Sequence, residues 1–203
     1  MKNFLLVSLF LIYLTGLKAQ KNNKPVKNNT VLFSVCYALN GFWDHTSFLY
    51  RSEYIHKFNQ YFSAGMGMGF FSNAKTSTSS LYTPNPVFVT GTIKEQSSII
   101  NFDIIPYLHV FEIKQHFLNF GIGYSLQRIR QIYSSAETLL YTKGGTPVAV
   151  VFYELLDKFE HVYLIYIEYG YKITPNIGLS INARYYGGDY GLAAAGLSFF
   201  YLF

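Results

Sequence analysis

The chain has 203 residues, half of them hydrophobic and 19% aromatic, with a formal net charge of +5 and a single cysteine, Cys36. That charge is too mild to argue for a nucleic-acid partner, and one cysteine excludes an internal disulfide framework. The length suits one domain. Past the first twenty residues no apolar stretch reaches the length of about 20 residues that a spanning helix needs, so this much apolar surface points to strands.

Met1-Lys-Asn is a short basic start, and Phe4 to Leu17 is an apolar run broken by Ser8, Thr15 and Gly16. Lys18-Ala19-Gln20 follows, with a small residue where cleavage would fall. This is the layout of a secretory signal peptide over 1–19. Its removal leaves 14 basic against 11 acidic residues, and export argues further against nucleic acid. Residues 20–29, with Lys21, Lys24 and Lys27 among asparagines, read as a flexible leader.

From Thr30 the chain alternates. Val31, Phe33, Val35, Tyr37 and Leu39 fall on one face, with Ser34, Cys36 and Ala38 on the other, the period of a strand with one apolar face. A short aromatic turn, Gly41-Phe-Trp-Asp-His45, leads to a second strand, Phe48 to Lys57. Phe48, Tyr50 and Tyr54 share its apolar side with the less fitting Ser52, while Arg51 and Glu53 lie opposite. After a turn at Phe58-Asn-Gln60, the third strand spans Tyr61 to Phe71. It sets Phe62, Ala64, Met66, Met68 and Phe70 against Ser63, Gly65, Gly67 and Gly69. Glycine packs poorly in a strand; its regular recurrence makes sense where one face looks into a crowded interior.

Residues 72–96, rich in Ser, Thr, Asn and Pro, read as a long loop. The fourth strand, Ser98 to Phe111, places Ile100, Phe102, Ile104, Pro106, Leu108 and Val110 opposite Asn101, Asp103 and His109. Pro106 removes a ladder donor and predicts a bulge or bend. The fifth, Phe117 to Arg128, repeats the glycine stripe with Gly121 and Gly123. Residues 131–157 form a second long loop, in which Val148 to Phe152 could extend a hairpin or form a contact patch. The sixth strand, Lys158 to Lys172, sets five outward Tyr and Ile residues against Tyr166, Glu168 and Gly170. Thr174-Pro-Asn176 is a tight turn. The seventh strand runs from Ile177 to Tyr185 with Arg184 on its polar side, and the last runs from Gly191 to Phe203. The segments HKFNQYFSAGMG and YKITPNIGLSIN share one strand–turn–strand layout.

Eight strands with one apolar face each allow a soluble barrel or its inside-out counterpart in a membrane. Three features favour the membrane. The polar face is Gly, Ser and Asn with few charges, unlike a water-facing sheet. Strands of about 9–11 residues match a tilted bilayer crossing, longer than the usual five or six. Aromatics gather near strand ends, as in two interfacial girdles. The soluble alternative rests on Gly41-Phe-Trp43, which matches the Gly-x-Trp of lipocalins but lies after the first strand. The expected fold is therefore an all-β, eight-stranded antiparallel up-and-down transmembrane barrel over residues 30–203.

The final segment, GLSFFYLF, is read as the last strand, with Leu197, Phe199, Tyr201 and Phe203 toward lipid. With Gly196 ahead of alternating aromatics and Phe203 at the end, it resembles the C-terminal signal by which the barrel assembly machinery recognises outer-membrane barrels. With the signal end and the glycine-alternating strands, the mature chain resembles the small outer-membrane β-barrel family of the Bacteroidetes type, similar in architecture to the OmpA transmembrane domain. The resemblance implies the outer membrane of a Gram-negative bacterium, with outer-membrane lipid as a partner, loops 72–96 and 131–157 outside and open to an extracellular partner, and no further domain.

Arg51, Glu53, Asp103, Glu168 and Arg184 should point into the lumen, where buried charges must pair. They are expected to form an ion-pair network that plugs the barrel, eight strands being just wide enough for their own side chains. The alternative is a narrow or gated pore. His45-Thr-Ser47 loosely resembles lipid A deacylase barrels, but no acidic residue is evidently placed to orient the histidine. His56, His109, His116 and His161 are scattered and Cys36 stands alone, so neither a metal nor another cofactor is expected. The reading is a structural or surface-interaction protein, and not an enzyme.

Overall fold

The computed structural model describes residues 28–40, 45–82, 88–141, 147–189 and 191–203. The signal, most of the leader and Gly41-Phe-Trp43 lie outside the described residues, as does the side chain of His45. The described elements are β1 (Asn29–Asn40), β2 (His45–Lys57), β3 (Phe62–Tyr82), β4 (Phe88–Ile113), β5 (His116–Tyr141), β6 (Pro147–Lys172), β7 (Ile177–Tyr186) and β8 (Leu192–Leu202). Each strand pairs antiparallel with the next, and β1 pairs with β8 from Thr30↔Leu202 to Asn40↔Leu192, closing one barrel. The seam continues past the ladder: Asn29 and Phe203 exchange both backbone hydrogen bonds, at 3.2 and 2.9 Å.

Alternation decides the faces, since successive side chains leave a strand on opposite sides. Phe33, Tyr50, Met66, Ile104, Ile122, Ile167, Ile181 and Leu197 are all exposed on the outer wall, while their sequence neighbours are buried or, at Gly67, Gly123 and Gly196, half-buried. Leu197, Phe199, Tyr201 and Phe203 face outward together, with Leu197 67% exposed.

Asn29 and Phe203 lie together at one end of the barrel, here the terminal rim. The connections at that rim are tight. Asn59 Oδ1 accepts from the backbone N–H groups of Tyr61 and Phe62 at 2.8 and 3.0 Å. Thr174 Oγ1 accepts from Asn176 and Ile177 at 3.3 and 3.1 Å. Lys114 takes φ 54° to close the two-residue β4–β5 turn. These are turn residues accepting from a backbone just ahead of them, which explains the shared layout of the two echoing segments.

Two expectations are corrected. Within the expected loops 72–96 and 131–157, the described residues 72–82, 88–96, 131–141 and 147–157 are not loops but continuing ladders. Pairing runs unbroken from Ser72↔Ser98 to Tyr82↔Phe88, and from Tyr133↔Glu154 to Tyr141↔Pro147 with one irregularity between Ser134 and Ala136. Two long hairpins thus rise from the end opposite the termini, the hairpin rim. Pro106 does not create a bulge. The β4–β5 ladder skips Ile105 and Pro106 and resumes in the same register at Tyr107↔Gly121; the shift comes later, between His109 and Phe111. Pro106 faces outward and lies opposite Ala64 of β3, so the missing donor opens a gap without displacing the strand.

A closed ring predicts heat-modifiable mobility. Refolded in detergent, the chain should run at a different position unboiled than boiled, with a β-rich circular dichroism spectrum. Identical mobility would contradict closure.

Candidate functional site

Arg51 and Glu53 are neighbours on the inward face of β2. Across β3 their partners are Gly69 and Gly67, and beyond those stand Asn101 and Asp103 of β4. Two strand spacings separate β2 from β4, about 10 Å, and only a row without side chains lets groups meet across that gap. The crowding is direct. A Cβ on Gly67 would collide with the Arg51 guanidinium, one on Gly65 with Glu53 and Tyr107, and one on Gly69 with the Asn101 amide. The glycine stripe is the space that the polar side chains occupy.

Within it, Arg51 donates to Glu53 through Nε and Nη2 at 3.1 and 3.0 Å and forms an ion pair with Asp103. Arg51 Nη1 lies 3.2 Å from the Tyr186 hydroxyl, which donates to Asp103 at 3.1 Å. Arg184, reaching in from β7, approaches Glu53 at 3.4 Å and Asn182 Oδ1 at 3.2 Å, with its guanidinium 4.3 Å from the centre of the Tyr166 ring. Tyr107 donates its hydroxyl to Glu53, and Asn101 donates to Asp103 at 2.9 Å. Two cations face two carboxylates, all four side chains fully shielded in their pairs.

Glu168 departs from the expected network. Its partners are neutral: Ser180 Oγ at 2.6 Å and Asn119 Nδ2 at 3.0 Å, with Asn119 Oδ1 in turn 2.7 Å from His109 Nδ1. It lies nearer the terminal rim, in a second polar layer below the ionic one.

Toward the hairpin rim the lumen closes with apolar side chains. Leu49, Phe71, Ile99 and Ile129 follow one another across β2–β5 and are fully buried; Leu164, Tyr186 and Leu192 complete the layer from β6–β8. Sequence reasoning placed Tyr166 inward but missed this stopper and the buried Tyr107 and Tyr186. Their signal was parity: Leu49 with Arg51, Ile99 with Asn101 and Asp103, Ile129 with Gln127. Cys36 is buried and free, with its sulfur 3.3 Å from Asn182 Oδ1. His45-Thr-Ser47 lies in β2, not in a turn, and Ser47 Oγ donates to the Ser72 carbonyl at 2.5 Å. Among the described residues no group of three or more His, Cys, Asp and Glu could hold a metal ion.

At the terminal rim, beyond the apolar band, Lys57 reaches Glu112 at 2.9 Å and Lys172 makes a second ion pair with the same carboxylate. Partial burial pushes the Glu112 carboxyl up, but the hydrogen bonds and charges of Lys172 and Lys57 outweigh it and carry it from its ordinary 4.5 down to about 2.

A closed ring of eight antiparallel strands, apolar outside and polar within, defines the class: a β-barrel of outer-membrane type. The comparisons agree. The N-terminal β-barrel domain of Pseudomonas aeruginosa OprF is similar at TM-score 0.50 and 13% identity, over 87% of this chain and 98% of that one. Neisserial surface protein A is similar at TM-score 0.54 and 13% identity, over 86% and 96%. The outer membrane protease OmpT from Escherichia coli is similar at TM-score 0.50 and 9% identity, over 91% and 99%. At these identities the likeness is one of fold. No family model matches the chain, and no curated protein matches it in sequence. The expectation that the chain is not an enzyme does not stand: a protease is among the structural neighbours, so the architecture decides neither for nor against catalysis.

Breaking a buried ion pair by removing one partner costs about 3–5 kcal/mol. Arg51→Ala leaves Asp103 without a cation and Glu53 with Arg184 alone, whereas Arg184→Ala weakens contact with Glu53 only, so both should lower the thermal midpoint in detergent, Arg51→Ala more. Unchanged midpoints would show the pairs to be unimportant. Because the Glu112 carboxyl is depressed, its contribution is present above pH 4.5 and is lost as pH falls toward about 2. In urea titrations, the stability gap between wild type and Glu112→Gln should therefore close across that window.

Proposed function

We propose that the chain is an integral barrel of a Gram-negative outer membrane, of the small Bacteroidetes type, whose lumen is stoppered and whose work is done at its surfaces. The observation that carries the reading is the filled interior: a charge-balanced layer around Arg51, Glu53, Asp103 and Arg184 beneath an apolar layer of Leu49, Phe71, Ile99 and Ile129. A solute would have to break buried ion pairs and displace close-packed side chains to pass.

In this reading residues 1–19 are the export signal and 20–29 the leader. The terminal rim faces the periplasm and the two long hairpins stand outside, following the plan of short periplasmic turns and longer outer loops. Gly196, Phe199, Tyr201 and Phe203 present the last strand to the assembly machinery. The hairpins built on 72–96 and 131–157 are the surfaces for an extracellular partner; Phe152, Tyr153 and Leu155 are exposed on the second.

The test is electrical. Purified barrel inserted into planar bilayers should add no steady conductance. Stable ohmic steps in the wild type would replace this reading with that of a pore. Protease added to intact cells should cut within the two hairpins, and full protection there would remove the surface role.

A further inference from the structure

On the outward face of β5 an apolar run, Leu118, Phe120, Ile122, Tyr124 and Leu126, climbs from the terminal rim, matched across the ladder by Tyr169, Ile167, Ile165, Tyr163 and His161. The next outward rungs are Arg128↔Phe159 and Arg130↔Asp157. Ten residues separate Leu118 from Arg128. At about 3.3 Å per residue and a tilt of about 45°, they rise about 23 Å, close to the apolar band of about 25 Å that such barrels present. On the outward face of this ladder, Arg128 and Arg130 are therefore the first charges met above the hydrocarbon, at headgroup height.

Their arrangement is built. Arg128 grips Asp157 with two bonds, Nε to Oδ1 at 3.1 Å and Nη2 to Oδ2 at 2.9 Å, while Arg130 Nε reaches Oδ2 at 3.2 Å. Arg128 stays 43% exposed and Arg130 55%, leaving Arg128 Nη1 and both Nη groups of Arg130 for a ligand. Hydrogen bonds from Arg128 hold the Asp157 carboxyl below the usual carboxylate range. The carboxylate stays ionised, and the cluster keeps one net positive charge. Beside it Phe159, 5.7 Å from the Arg128 guanidinium, and Leu155 are exposed apolar groups. A positive fork set above hydrocarbon and flanked by apolar side chains complements an anionic headgroup attached to acyl chains.

We propose that Arg128 and Arg130, held in register by Asp157, form a binding site for the phosphate of an anionic glycolipid in the outer leaflet. The site rests on the outer-membrane reading above. A plain structural brace would use the same ion pairs, and the role of Asp157 separates the two. As a brace it matters as much as the arginines. In a phosphate site it positions them while opposing the ligand's charge.

The experiment is native mass spectrometry of the refolded full barrel in detergent, titrated with doubly phosphorylated lipid A, with the same lipid dephosphorylated, and with inorganic phosphate alone. Gel mobility is checked first on every sample. The wild type should retain the phosphorylated lipid in preference to the other two. Arg128→Ala and Arg130→Ala should each weaken that retention about fivefold, while Asp157→Asn should leave it equal or tighter. Equal retention of phosphorylated and dephosphorylated lipid, wild-type retention by the double arginine variant, or a loss in Asp157→Asn matching the arginine variants would each overturn the site. Binding of inorganic phosphate as tight as the lipid would overturn its assignment to a lipid. A wild type without heat-shifted mobility would instead bring down the barrel reading beneath it.

Discussion

A polypeptide crossing hydrocarbon has no water to satisfy its backbone, and every N–H and C=O must find a partner within the chain. Here that constraint is met by closure. The β1–β8 seam pairs eleven successive rungs and is continued by the Asn29–Phe203 exchange. All else follows from it. Closing eight strands fixes a narrow bore, a narrow bore forces the inward side chains into contact, and contact in the absence of water forces the charged ones to pair.

The interior meets this demand with two kinds of packing. Near mid-height, glycines on β3 vacate the wall so that Arg51 and Glu53 can meet groups carried by β4; the Tyr107 hydroxyl donates to the Glu53 oxygen that the arginines leave, and the Tyr186 hydroxyl adds a donor to Asp103. Toward the hairpin rim, aliphatic side chains and Phe71 fill most of the bore, with Ser97, Gln127 and Gln131 buried among them. The first layer costs desolvation and gives a unique arrangement; the second gives burial without specificity. Glu168, with only neutral donors from Asn119 and Ser180, shows that position in the lumen alone does not recruit an ion-pair partner.

Much of the fold was legible because strand parity is strict. Once Phe33 and Leu197 are on one face, Ser34 and Ser198 must be on the other, and a single error of register would have turned every residue round. The hairpins were not legible for a physical reason. Above the membrane neither face of a ladder need be apolar, so Ser72 to Thr78 lose their alternation while the backbone goes on pairing. The meeting of Arg51 with Asp103 was hidden too. It depends on the register of two intervening ladders, and their residue types predict only that each needs some opposite charge. Leu49, Phe71, Ile99 and Ile129 were visible as residues on the inward parity, yet a face dominated by Gly, Ser and Asn drew attention from them.

The two tall hairpins arise from consecutive strands, β3 with β4 and β5 with β6. The wall over half the circumference therefore continues well past the bilayer, whereas β7, β8, β1 and β2 stop near its surface. The barrel has a front and a back. Seen from the hairpin rim it is a palisade with an open side rather than a symmetrical crown. A neighbour drifting in the plane of the membrane meets a screen from one direction and a bare rim from the other, so whatever gathers around this protein would be sorted by its angle of approach.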